Sequence, residues 1–286
     1  MLAYTPNFPL SIIATIACTG VSAAYGWLLV RYRAWLLWSV LAGSLLETTG
    51  FIARTIAARS SNDGGAVHRV QFILLLIAPT LLSTTFLSMY ARIVLCVSPE
   101  PQRTFRSRAL WLPPKYTESF LVAFNILSLA VQTIGAVVFA GAGPTEKQRN
   151  ENGRGIIQGG LVIQILCFAL FAVFWVRFMV VAKRWKGDVG SRAEGRWRQL
   201  CAVVFGGLVI VQIRTIFRLF EFDDSRNYVS SHEWVFWVFD ALPVLVACVG
   251  LFVFHPARYL PIEFLKIWVR SNSLSDAERE ASGIIL

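Results

Sequence analysis

Long apolar stretches separated by short polar connections occupy the chain from about residue 9 to residue 254. A helix that crosses a bilayer needs about 20 mostly apolar residues. Seven windows satisfy that requirement: 9–30, 35–58, 70–94, 119–142, 156–182, 200–222 and 233–254. They are too long and too continuously apolar for barrel strands, which alternate over about 10 residues. A segment in lipid must satisfy its own backbone polar groups, so helix is the remaining choice. The pattern predicts an all-α polytopic bundle of seven transmembrane helices over residues 1–256 and a cytoplasmic tail over 257–286. In the tail, ARYLPIEFLKIWVR mixes Phe264, Leu265, Ile267 and Trp268 with Arg258, Lys266 and Arg270, which suits either an interfacial helix or a solvated segment.

Composition supports the membrane reading. Of 286 residues, 56% are hydrophobic and 15% charged, and mean hydropathy is +0.58, whereas soluble domains carry about 25% charged residues. Sixteen Lys and Arg fall in the tail and in the connections on its side of the membrane, and six fall in the opposite connections. That bias predicts an outside N-terminus and a cytoplasmic C-terminus. The net charge of +10 is then a topology signal with affinity for anionic lipid, and no nucleic-acid partner is expected. The first apolar segment lacks a basic leader and is long enough to remain as a span, so no cleaved signal is expected. Cys18, Cys96, Cys167, Cys201 and Cys248 lie in or at the ends of apolar segments without metal-ligand spacing, which argues against a disulfide framework and against zinc.

Charges interrupt three of the windows in a regular way. Glu47 and Arg54 are seven apart in the second, Arg214, Arg218 and Glu221 are three to seven apart in the sixth, and Glu233 and Asp240 are seven apart in the seventh. Such spacings place each set on one helix face. An unpaired charge in the membrane costs about 3 kcal/mol or more, so these faces must meet one another or water. The expectation is a polar cleft between helices two, six and seven, with Gln71 of the third helix added as a substrate-cleft residue. Buried ion pairs that only fix the packing are the alternative.

Weaker signals accompany these. Gln71, Gln132, Gln158 and Gln164 suit interhelical hydrogen bonds, while Pro79 and Pro243 should loosen the third and seventh helices. Gly155 and Gly159 form a GxxxG match followed by Gly160, and Gly206 and Gly207 are expected to open the sixth helix; both sets suit close helix contact. Trp35, Trp234 and Trp237 read as interfacial anchors, and Ser231 as a helix cap preceding Glu233. Enzyme chemistry finds little footing. Only His68, His232 and His255 are present, no HExxH, GxSxG or phosphate-loop motif occurs, and neither catalytic residues nor a cofactor is expected.

The stretches ETTGFIAR (Glu47 to Arg54), QFILLLIAP (Gln71 to Pro79), GGLVIQ (Gly159 to Gln164), RTIFRLFE (Arg214 to Glu221), SHEWVFWVFD (Ser231 to Asp240) and His255-Pro256 occur in this order. Together they resemble the RTA-like family of fungal lipid-translocating exporters, collinearly from Tyr4 to Pro256. The resemblance implies a seven-span fungal plasma-membrane protein with an outside N-terminus, linked to resistance to toxic amphiphiles. Family members are tied to sphingoid long-chain bases, an aminosterol, molasses toxins and protoporphyrin uptake, so the substrate stays open at the level of an amphiphilic lipid. Ala91 stands where members often have glycine, and the first helix lacks a histidine often found there.

The competing class is a seven-helix lipid sensor that confers resistance by signalling. Against it, the third helix ends in MYARI rather than a DRY-like triplet, and the seventh ends in FHP rather than NPxxY.

Overall fold

The computed structural model describes residues 7–32, 37–59, 64–98, 114–141, 146–183, 194–221, 232–256 and 259, with main chain alone for 64–66, 114–115 and 194–196. Trp35, Ser231, the basic connection residues Arg33, Arg103, Arg106, Arg108, Arg184, Lys186, Arg192 and Arg226, and the tail segment with Arg258 and Phe264 to Arg270 lie outside the described residues. Among the described residues every regular element is helical. Seven helices follow in order: α1 Phe8–Tyr32, α2 Trp38–Arg59, α3 Gly64–Val97, α4 Pro114–Gly141, α5 Lys147–Ala182, α6 Glu194–Glu221 and α7 Glu233–Val253.

Six of the seven are long and apolar enough to cross a membrane, and α2 is the exception. Its 22 residues would reach about 33 Å, but they include Ser39, Ser44, Glu47, Thr48 and Arg54, all buried. Those polar groups are used inside the bundle. Ser39 Oγ lies 2.6 Å from Thr85 Oγ1 of α3, and Thr48 Oγ1 lies 3.1 Å from Ser22 Oγ of α1.

Several helices run past the apolar windows. α3 starts at Gly64 rather than 70, α4 at Pro114 rather than 119, α5 at Lys147 rather than 156, and α6 at Glu194 rather than 200. Hydropathy marks where lipid contact would end, whereas a helix continues until proline, glycine or a cap stops it. Lys147, Arg149 and Arg154, expected in a connection, therefore sit on α5, where Arg149 pairs with Glu146 at 3.3 Å. Gly206 and Gly207, expected to open the sixth helix, fall near the middle of α6.

Consecutive helices pack side by side, α7 returns to α1, and α3 lies at the centre against α2, α4, α5 and α6. Burial follows that layout: 67% of the apolar window of α3 is buried but only 17% of that of α1. Large apolar side chains such as Ile13, Ile16, Ile126, Ile134, Leu166 and Val176 point outward. An apolar exterior is what lipid requires and water would penalise.

Close contact between α4 and α5 depends on Gly153 and Gly160, not on the GxxxG pair. A Cβ on Gly153 would come within 2.7 Å of the Phe139 nitrogen, and one on Gly160 within 2.6 Å of Gln132 Cγ, whereas Gly155, Gly159 and Gly206 have open space. Residues seven apart share a helix face more closely than residues four apart, so Gly153 and Gly160 continue the stripe through Ile157.

The two ends of the bundle differ. Where α3 and α5 end and α6 begins, Tyr90 meets Phe171 and Phe178 edge-on with centroids 5.0 and 6.0 Å away, and Trp175 stacks on Phe205 at 4.2 Å. This aromatic packing holds the helices by dispersion. The opposite end holds the charged side chains of α2, α6 and α7.

Candidate functional site: a buried ion cluster

The C-terminal half of α6 sets the centre of the cluster. Arg214 and Arg218 are one turn apart on one face, and both are nearly inaccessible. Asp240 of α7 receives both. Arg218 donates from Nε to Oδ1 at 2.7 Å and from Nη2 to Oδ2 at 2.6 Å, the two-point fork that suits guanidinium and carboxylate geometry. Arg214 Nε lies 3.0 Å from the same Oδ1 at an angle that makes no hydrogen bond. Arg218 also donates to Glu221 Oε2 at 2.7 Å.

Arg214 is held by a second device. Pro79 has no backbone N–H, so the carbonyl of Leu75, four residues earlier on α3, lacks its helical donor. Arg214 Nη2 donates to that carbonyl. The proline expected to loosen α3 thus supplies an acceptor to α6, and α3 remains helical through it.

Asp240 sits in a local widening of α7. Residues Trp237–Ala241 form a single π turn, in which the amide of Leu242 bonds the carbonyl of Trp237 five residues back. Pro243 follows at the start of the next α-helical stretch and removes one more donor.

A second pair lies nearer the end where α1 begins. Arg54 of α2, its side chain fully buried, bonds Glu233 Oε1 at 3.0 Å, and the same oxygen accepts the backbone N–H of Asn7 at 2.8 Å. The Arg54 guanidinium lies 4.2 Å from the Phe236 ring centre and 5.3 Å from that of Trp237, so two aromatic faces supplement the ion pair. Trp237, expected as an interfacial anchor, stacks on Phe51 at 5.9 Å and walls this pair instead. Trp234 is 52% exposed, which fits an anchor. The helix that begins at Glu233 has His232 in its N-cap position, with no side-chain cap hydrogen bond.

Of the eight residues singled out, seven fall in these two groups. Glu47 is the loosest: it is 3% exposed, its nearest cation is Arg214 at 4.0 Å, and its Oε1 has no hydrogen-bond partner. Gln71 is buried one turn before Leu75 with its Oε1 unpartnered, and among the described residues no hydrogen bond joins it to the charges. Gln132 and Gln164 belong elsewhere, bonded to each other at 2.8 Å between α4 and α5. The side chains pack on one another; beside Glu47 a small cavity has room for about one water molecule.

Sequence reasoning missed the Leu75 carbonyl, the aromatic walls and the pair of Arg92 with Glu118 at 3.4 Å. Arg92 sits inside the third apolar window, so the rule that a charge in a span seeks a partner would have found it.

The chain matches the family described as RTA1 like protein over residues 40–263. Among similar proteins, protoporphyrin uptake protein 1 of Saccharomyces cerevisiae is 27% identical over 216 residues, covering 74% of this chain and 65% of its own length. The uncharacterized membrane protein YLR046C of the same organism is 26% identical over 251 residues, 87% of each chain. The sphingoid long-chain base transporter RSB1 of S. cerevisiae is 26% identical over 262 residues, 80% of this chain and 66% of its own. The chain spans just under two thirds of the length of protoporphyrin uptake protein 1. No solved structure matches it. With several helices apolar enough to cross a bilayer and a family match over most of its length, the chain is an integral membrane protein of the RTA1-like family.

Proposed function

We propose that the chain transports or translocates amphiphilic lipids across a fungal plasma membrane, with the head group handled by the ion cluster of α2, α6 and α7. In this reading residues 1–256 form a seven-span domain with the N-terminus outside, and 257–286 form a cytoplasmic tail. α2 is the seventh span, its polar side chains shielded from lipid between α1 and α3. Glu47, Arg54, Gln71, Arg214, Arg218, Glu221, Glu233 and Asp240 are the substrate-cleft residues. The partners are the lipid cargo and the surrounding bilayer, with no nucleic acid and no catalytic step.

One observation carries this reading: Arg214 has two carboxylates within reach, Asp240 at 3.0 Å and Glu47 at 4.0 Å. An ion pair with an alternative partner is an element with two arrangements, and a ligand that binds one arrangement better shifts the balance. A purely structural pair needs no second acceptor. The name of RSB1 as a sphingoid long-chain base transporter supports the same class of cargo.

The test is purified protein in liposomes carrying a fluorescent long-chain base on one leaflet. Flipping is expected to exceed that of protein-free liposomes by about tenfold or more, which needs a barrier only about 1.4 kcal/mol lower. Saturable binding of the base with no acceleration would make the chain a lipid sensor instead.

A further inference from the structure

Among the described residues the charges of the cluster do not balance: three arginines, Arg54, Arg214 and Arg218, face four carboxylates, Glu47, Glu221, Glu233 and Asp240. Asp240 takes two of the arginines, so the shortfall falls on Glu47. Its Oε1 is buried and unpartnered, an arrangement that costs free energy until a donor arrives.

Glu47 also faces the small cavity, which is lined by Cys18 and Val21 of α1, Ser44 and Phe51 of α2, and Ala241, Val244 and Leu245 of α7. The Ser44 hydroxyl gives its proton to the Leu41 carbonyl at 2.9 Å, so its oxygen is left to accept. Two acceptors therefore border a space the size of one water molecule. An ammonium group is about that size and donates three hydrogen bonds. A phosphate is larger and needs cationic donors, and among the described residues no arginine or lysine lines this space.

The cavity lies on the seam between α1 and α7. Polar clasps close that seam at two places, Asn7 N–H to Glu233 at 2.8 Å and Tyr25 hydroxyl to the Cys248 carbonyl at 2.6 Å. The two clasps are 18 residues apart along α1, or about 27 Å, and Cys18 and Val21 fall between them. α1 is also the least buried of the candidate spans, which makes it the helix that parts at least cost.

We propose that this cavity takes the head group of a long-chain primary ammonium, bound between Glu47 and Ser44, which enters sideways from lipid through the α1–α7 seam while its chain stays in the bilayer. The proposal rests on the transport reading and specifies its head group and its door.

Native cysteines report on the site. Cys18 borders the cavity and Cys96 lies near the end of α3, and both are half-buried. Purified protein in lipid nanodiscs is labelled with a lipid-soluble maleimide, each cysteine is quantified by peptide mass spectrometry, and hexadecylamine and hexadecyl phosphate serve as probes. Hexadecylamine near saturation is expected to slow labelling of Cys18 by about tenfold while Cys96 is unchanged. Hexadecyl phosphate leaves both rates alone, and Glu47→Gln removes the protection. Equal protection by the two probes, or protection that survives Glu47→Gln, overturns the site. If that variant does not fold, Val21→Trp, which fills the cavity from α1 without touching a charge, must remove the protection; retained protection overturns the site equally. Flipping measured on the same preparation separates the two claims. Amine-specific protection without flipping keeps the site and removes the transport reading, and flipping without protection does the reverse.

Discussion

Midway along α3, α4 and α5, away from the Arg92–Glu118 pair, the buried polar groups between the helices are neutral amides and hydroxyls. Gln132 Nε2 donates to Ser128 Oγ at 2.9 Å and to Gln164 Oε1 at 2.8 Å, the Thr80 hydroxyl lies 3.3 and 3.4 Å from the two glutamine carbonyl oxygens, and Asn125 donates to Thr80 and Thr84 at 2.8 Å. Among the described residues, none of Thr80, Thr84, Asn125, Ser128, Gln132 and Gln164 has a buried side-chain atom without a partner. Between α2, α6 and α7 the groups are charged, one carboxylate is in excess among the described residues, and Glu47 Oε1 accepts no hydrogen bond. A saturated neutral layer has one good arrangement and acts as packing. The charged layer has a spare acceptor, and Arg214 can choose between two carboxylates.

The largest expected effect comes from removing the shared carboxylate. Asp240→Ala leaves Arg214 with only the more distant Glu47 at 4.0 Å and Arg218 with Glu221 alone, and should cost about 3–5 kcal/mol, the range for breaking a buried pair. Thermal unfolding in detergent should show this as a large loss of folded protein. Next comes the α4–α5 contact. Gly160→Val should cost about 1–3 kcal/mol by overpacking against Gln132. Gly155→Ala should be neutral or stabilise by up to about 1 kcal/mol, because it meets open space and improves helix propensity. Equal costs at the two glycines would contradict the packing described. Gln132→Leu should cost about 0.6–1.7 kcal/mol, as interhelical hydrogen bonds in membranes do, and leave transport unchanged. Glu221→Gln should be smallest in stability, at most about 1 kcal/mol, because its side chain is 21% exposed and Arg218 keeps Asp240. Its effect should appear in transport.

Helix content and the identity of the charged faces were legible because both follow from periodicity. Spacings of three, four and seven put Arg214, Arg218 and Glu221 on one face of α6 whatever lies opposite. What lay opposite was less legible. That Pro79 would free the Leu75 carbonyl follows from chemistry, but that Arg214 would reach it depends on how α6 sits against α3. The π turn around Asp240, just before Pro243, is a single shifted backbone hydrogen bond that side-chain periodicity does not register. The GxxxG match at Gly155 and Gly159 failed because a four-residue spacing names a possible contact without saying which face meets α4. Trp237 was assigned to an interface from its position near a window end, whereas the guanidinium of Arg54 and the ring of Phe51 draw it inward.

The central claim is that the charged layer moves cargo and the neutral layer only holds helices together. The most direct measurement is the rate at which a fluorescent long-chain base flips in liposomes containing wild type, Glu221→Gln or Gln132→Leu at matched amounts of folded protein. The account predicts that Glu221→Gln loses about tenfold or more of the accelerated rate while Gln132→Leu keeps it, although Gln132→Leu is the less stable of the two. Loss of rate in proportion to loss of stability, with Gln132→Leu the slower, would contradict it.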